Sequence, residues 1–240
     1  TNPRYPTRPK DIHLENLEES HVRQKEFLPT GARRTHTHTN REQHRHTTGA
    51  EKAMRKLSVL CLHGYSMTGA LLQQSMRRTC ERLSHLARFR FVDGPHTVEP
   101  SPHLPLELPE GTRPLGWWRP ERQDDRSWHF HGVDDSLALL SQAEASEVEA
   151  HGHGVDVVLG FSQGSALAHL ATALRQHRPS ASPLPSLRGA VFVGGFPFAP
   201  ASPAFAEASL HLSMPTLHVA GSRDKIVRPE PSARLLQLRA

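Results

Sequence analysis

Residues 154–170 read GVDVVLGFSQGSALAHL, and the fold class turns on how this stretch is parsed. The mostly apolar run 155–159 stops at Gly160. Phe161, Ser162, Gln163 and Gly164 follow, and then a stretch rich in Ala and Leu. A continuous apolar run bounded by glycine suits a strand buried on both faces, and the Ala/Leu stretch suits a helix. One hydroxyl therefore stands between two glycines at the seam of a strand and a helix. That is the G-x-S-x-G arrangement of a nucleophile elbow, in which flanking glycines leave room for a tight turn and for close helix–strand packing. The N-terminus of the following helix adds its positive dipole at the reacting centre. Ser162 is the expected nucleophile.

Outward from this motif, strands and helices alternate. LSVLCLHG (57–64) reads as a buried strand, 68–87 as a helix, and RFRFVDGP (88–95) as a strand closing on a Gly-Pro turn. Residues 96–130 hold many prolines and no clear period, and are expected to form a long loop. A helix with an acidic first turn is expected over 134–150, strands over 187–196 and 215–224, and a helix from 230 to 238. The class this implies is α/β: a mostly parallel sheet with helices on both faces.

An elbow needs partners. One oxyanion donor should be the backbone N–H of Gln163, the residue after the nucleophile, and the second should come from a loop after an earlier strand. LHGYSMTG (62–69) leaves the first strand, Gly64 lets the backbone approach closely, and Tyr65 N–H is the expected donor. His63, just before Gly64, suits a loop-fixing role better than that of a base. Asp224 follows the last strand and lies after Ser162 in chain order, which makes it the expected triad acid. Asp93 and His96 sit off the end of the second strand, near the rim, with no chemical role assigned.

Composition narrows the rest. The chain has 240 residues, 36% of them apolar, and a mean hydropathy of −0.53, so part of its length is expected to stay unpacked. Residues 1–55 are rich in Arg, Thr and His, lack apolar periodicity and are expected to be a disordered basic arm. His36, His38, His44 and His46 lie in it, but no Cys or carboxylate completes a ligand set, so no metal is expected. The net charge is +5 and the pI about 9.7, yet no run of Lys/Arg exceeds two residues. That suits a solvated surface, with no nucleic-acid partner. Two cysteines form no disulfide framework and point to a reducing compartment, cytoplasmic or also nuclear. No stretch approaches the ~20 apolar residues of a membrane span.

The segments LCLHGYSMTG, FRFVDGPH, GWWRP, GVDDSL, VVLGFSQGSALA, VFVGGFPF and PTLHVAGSRDKIV, in this order over about residues 57–238, resemble the FSH family of serine hydrolases, a group with the α/β-hydrolase fold. Carried over position by position, the resemblance makes Ser162 the nucleophile and Asp224 the acid. It implies carboxylesterase-type chemistry on small acyl esters or thioesters, with no metal or organic cofactor. Trp117 and Trp118 in GWWRP either line an acyl pocket or pack the Pro-rich excursion onto the domain.

No histidine follows Asp224, although in this fold the base follows the acid in chain order. The resembled family carries it in a Gly-Gly-His-type segment beyond one more helix and strand, so the domain over 56–240 is expected to lack its last strand and helix. Three explanations stand: a C-terminally incomplete sequence, favoured also by a start at Thr1 rather than Met; a protein that has lost catalysis; or an out-of-order histidine such as His218 or His63. A non-catalytic binding protein on the same fold is the alternative to an enzyme. The oligomeric state is left open, and the strand carrying TLHVAGSRD is expected at the sheet edge.

Overall fold

The computed structural model describes residues 55–101, 108–124, 127–198, 211–224, 226–227 and 229–237. Apart from Arg55, the expected arm lies outside the described residues. The elements in chain order are β1 (Leu57–Leu62), α1 (Gly69–Leu83), β2 (Ala87–Val92), β3 (His96–Thr97), β4 (Leu115–Gly116), β5 (Arg119–Arg122) and β6 (Trp128–His131). They continue with α2 (Val133–His151), β7 (Val157–Phe161), α3 (Gln163–His177), a 3₁₀ turn (Pro179–Ala181), β8 (Gly189–Val193), β9 (Thr216–Val219) and α4 (Pro229–Gln237).

Five strands form one all-parallel sheet in the order β2-β1-β7-β8-β9. Successive side chains of β1 point to opposite faces. Val59 and Cys61 join Leu72 of α1 and Leu159 in one buried cluster. Leu60 and Leu62 join the main core with Leu140 of α2 and Leu167, Leu170 and Leu174 of α3. Both faces of the sheet are thus covered, which is why its inner strands read as unbroken apolar runs. Helix α3 is buried on every side from Gln163 to Leu174. Among the described residues β9 is an edge strand, with Leu217 58% and Val219 45% exposed on its outward-pointing positions.

Residues 96–130 depart from the expected loop. Short antiparallel ladders join His96–Thr97 to Leu115–Gly116 and Arg119–Arg122 to Trp128–His131. The first ladder is too short to carry a period, and neither belongs to the five-stranded sheet. Two strands also stop earlier than expected. β8 ends at Val193, before Gly194, whose φ of 52° breaks the extended chain, and β9 ends ahead of a turn closed by Asp224 N–H on Gly221 C=O at 3.1 Å.

The N-terminal ends of the inner strands β1 and β7 are tied together by buried carboxylates. Arg55 forks onto Asp156 at 2.6 and 2.7 Å, Ser58 N–H donates to the same carboxylate, and the Ser58 hydroxyl donates to Glu147 at 2.7 Å. Burial alone would raise the pKa of Asp156, but the bonds from Arg55 and Ser58 outweigh it and hold the group below its ordinary value.

Candidate active site

Parallel pairing brings the C-terminal ends of the strands together. Leu62 is in register with Gly160, Phe161 with Val193, and Val193 with Val219. The loops after β1, β7, β8 and β9, which carry Tyr65, Ser162, Gly194 and Asp224, therefore emerge side by side at the edge where open α/β sheets bind ligands.

Ser162 occupies the turn between β7 and α3 with φ 52° and ψ −116°, a conformation that L-residues rarely adopt. The turn is held by Ser162 N–H donating to Val193 C=O at 3.0 Å, and by the N–H groups of Ser165 and Ala166 donating to Ser162 C=O at 2.9 and 3.2 Å. Ser162 stands at the N-cap of α3, yet its side chain makes no capping bond. The hydroxyl is thus held at the head of a helix without being used by it. The flanking glycines are steric requirements. A Cβ on Gly160 would lie 2.2 Å from Gly164 O, and one on Gly164 would lie 2.3 Å from Leu62 O and 2.5 Å from His63 O.

Tyr65 lies in a tight turn closed by Met67 N–H on Gly64 C=O at 3.3 Å, with Ser66 at φ 60°. The Ser66 hydroxyl accepts Ser101 N–H at 3.0 Å, tying this turn to the chain after β3. Gly116 brings Tyr65 and Gln163 to one place: a Cβ there would stand 3.1 Å from Gln163 Oε1 and 3.4 Å from Tyr65 Cδ2. Gln163 opens α3, where its N–H has no intrahelical acceptor.

Asp224 heads its own turn, with Oδ1 accepting the N–H groups of Ile226 and Val227 at 2.8 and 3.0 Å. Its Oδ2 lies 3.6 Å from where a Cβ on Gly194 would stand, and Phe161, the neighbour of Ser162, lies 3.8 Å from that same point. Trp117 and Trp118 are both inside the protein. The Trp117 indole N–H donates to His63 C=O at 2.7 Å, while Trp118 stacks on Phe130 and meets Phe198 edge-on. Both indoles pack the excursion onto the domain.

Among the described residues no hydrogen bond joins a histidine to Ser162 or Asp224, and each histidine considered as a base has other bonds. His63 accepts Gly94 N–H on Nε2 at 2.8 Å and pairs through Nδ1 with Gly64 C=O at 2.7 Å. Both ring nitrogens are spent, the tautomer is the Nδ1–H form, and burial lowers the pKa. His218 packs against Phe192 and meets the Thr216 hydroxyl at 3.1 Å.

His169 carried no signal in the sequence beyond its residue type, because α3 is buried all round. Its Nδ1 accepts Phe198 N–H at 3.3 Å. Burial, with the nearby His218 adding to it, pushes its pKa down from 6.5 to about 4. The folded protein therefore disfavours the proton that the unfolded chain accepts. The contribution to stability is complete above about pH 6.5 and is lost as pH falls towards 4, to the extent of about 3 kcal/mol. His169→Asn keeps an acceptor for Phe198 N–H but cannot titrate. Urea unfolding at pH 7 and pH 4 is expected to show a smaller acid loss in the variant, by most of that amount; equal losses would place the acid sensitivity elsewhere.

The sequence model of the serine hydrolase (FSH1) family matches residues 51–239. The chain belongs to the FSH1 serine hydrolase family. It is 33% identical over 202 residues to human "Esterase OVCA2", covering 76% of this chain and 83% of that protein. It is also 30% identical over 200 residues to "Esterase C25G4.2" of Caenorhabditis elegans, covering 76% and 79%. The crystal structure of esterase PE8 shares the fold at 23% identity, with a TM-score of 0.53 over 76% of each chain. The crystal structure of a point variant of SOBER1 from Arabidopsis thaliana aligns at 20% identity with a TM-score of 0.50, over 77% of this chain and 82% of that one. The fold of this FSH1 family member is the mostly parallel α/β sheet that the alternating pattern predicts, in the α/β-hydrolase form that the resemblance implies. No helix among the described residues is long and apolar enough to cross a membrane.

Proposed function

We propose that this chain is a serine esterase acting on small acyl esters or thioesters, with Ser162 as nucleophile. The observation that carries this reading is the Ser162 backbone. A non-glycine residue is held at φ 52° between two sterically required glycines, with its hydroxyl off capping duty at the N-terminus of a buried helix. Backbone strain of this kind persists only where the surrounding structure enforces it, and it clusters at active sites.

The Ser162 oxygen attacks the acyl carbonyl, the hydroxyl proton passes to a general base, and the carbonyl π pair moves onto oxygen. The oxyanion is held by the N–H groups of Tyr65 and Gln163 and by the positive end of α3. Collapse expels the alkoxide or thiolate, which takes the proton. Water then repeats the sequence on the acyl-enzyme. The general base of this scheme is a histidine, and Asp224 is the acid that orients it, through Oδ2, because Oδ1 already accepts two N–H groups. No step calls for a metal or organic cofactor. The unpaired cysteines, with Cys61 buried in β1, favour work in the cytoplasm.

The absence of a histidine bonded to Ser162 or Asp224 among the described residues favours a second reading, a binding protein without catalysis. One experiment separates the two. The full chain is incubated with a fluorophosphonate, digested and mapped by mass spectrometry, with hydrolysis of a p-nitrophenyl ester followed in parallel. Modification confined to Ser162 is expected. Labelling elsewhere would remove Ser162 from the role of nucleophile, and no labelling together with no ester turnover would leave only the binding reading.

A further inference from the structure

Gln163 has a second function beyond its backbone N–H. Its buried side-chain amide pairs with the backbone of the excursion: Oε1 accepts Trp117 N–H at 2.9 Å, and Nε2 donates to Trp118 C=O at 3.1 Å. Meeting both requires one acceptor and one donor on the same planar group. The Trp117 indole in turn donates to His63 C=O at 2.7 Å, and the His63 ring pairs with Gly64 C=O, where the Tyr65 turn begins. One hydrogen-bonded frame therefore runs from the elbow through Gln163, Trp117 and His63 to the turn carrying the other oxyanion donor.

The excursion's own ladders are short and separate from the main sheet, so its registry on the domain depends on such cross-links. We infer that the Gln163 side-chain amide is a positioning residue that sets the separation of the two oxyanion donors, the N–H groups of Tyr65 and of Gln163 itself. The inference rests on the esterase reading above. Its chemical consequence is specific, because a misplacement of ~1 Å at a reacting centre costs up to ~10²-fold in rate.

Gln163→Glu makes this measurable. A protonated carboxyl accepts from Trp117 N–H and donates to Trp118 C=O, as the amide does. An ionised one cannot donate and faces a carbonyl oxygen. Burial raises the pKa of such a carboxyl, so both states fall within an accessible pH range. Gln163→Met, of similar size, supplies neither bond at any pH. The readout is phosphonylation of the full chain by a fluorophosphonate. The Ser162 oxygen bonds to phosphorus, fluoride leaves, and the hydroxyl proton passes to base or solvent.

The maximal labelling rate of Gln163→Met is expected to fall by about tenfold at every pH, with the half-saturating probe concentration unchanged. For Gln163→Glu the ratio to the parent rate should start near one in acid and fall about tenfold as pH rises. Division by the parent rate removes the titration of the catalytic base. A parent-like rate at every pH, or a flat loss equal to that of Gln163→Met, would overturn the inference. Trp117→Phe supplies an arm independent of folding at position 163. It removes the indole N–H on His63 together with part of the buried ring, but leaves the Trp117 main-chain bond to Gln163 possible; a rate several-fold below the parent is expected, whereas a parent-like rate again overturns the inference. A parent chain that takes no phosphonate at Ser162 removes the esterase reading and this inference with it, a result told apart from the others by the parent's own labelling.

Discussion

Ser162→Gly is expected to lose fluorophosphonate labelling and ester turnover by at least ~10³-fold while becoming more stable than the parent by about 1 kcal/mol. The loss follows from deleting the attacking oxygen, which no neighbouring hydroxyl can replace at the same point. The gain follows from φ 52° and ψ −116°, a region open to glycine and strained for a residue with a Cβ. Relief of ~1–3 kcal/mol is partly offset by the extra freedom of glycine in the unfolded chain, ~0.5–1 kcal/mol. Ser162→Ala is the control, since it loses the oxygen but keeps the Cβ and hence the strain. Urea unfolding of the three proteins, with labelling read by intact mass, makes the comparison. A glycine variant no more stable than the alanine variant would mean that the turn stores no strain, and labelling of either would remove Ser162 from its proposed role.

The same backbone explains how much was legible beforehand. Strands β1, β7 and β8 announce themselves because they are covered on both faces, so each reads as an apolar run ended by glycine or a polar turn. The places of Ser162 and Asp224 after their strands are legible for a topological reason. Each follows a strand whose end can be located, and parallel strands deliver all such ends to one edge. His63 was legible as a loop-fixing residue from its place before Gly64, but its tautomer was not, because Gly94 N–H comes from a loop thirty-one residues away.

What escaped the sequence is what depends on distance along the chain. The Gln163 amide meets Trp117 and Trp118 across forty-six and forty-five residues, and nothing local to either segment reports the pairing. Without that contact the excursion has prolines, short apolar stretches and no period. Its ladders are held against the domain by buried indoles and amide bonds. His169 escaped for the opposite reason. In a helix buried on every side no hydrophobic stripe exists to show which face a polar residue occupies.

Gly164→Ala is expected to cost more than about 4 kcal/mol, a large share of a typical total of about 5–15 kcal/mol. Intrinsic propensity argues the other way, since alanine is favoured over glycine inside a helix by about 1 kcal/mol. Sterics decide the sign. The added methyl would stand 2.3 Å from Leu62 O and 2.5 Å from His63 O, both backbone atoms of β1 and its loop that cannot swing aside. To admit it, α3 must back away from the sheet, and the elbow must open with it. Gly152→Ala is the informative contrast, because that residue caps α2 at φ 73° with no atom within 4 Å of an added Cβ. Its cost is conformational only, about 1 kcal/mol. Thermal unfolding of the two variants against the parent separates contact from conformation. A Gly164→Ala protein as stable as Gly152→Ala would show that helix α3 can shift on the sheet, and that the close approach is not what holds Ser162 in its turn.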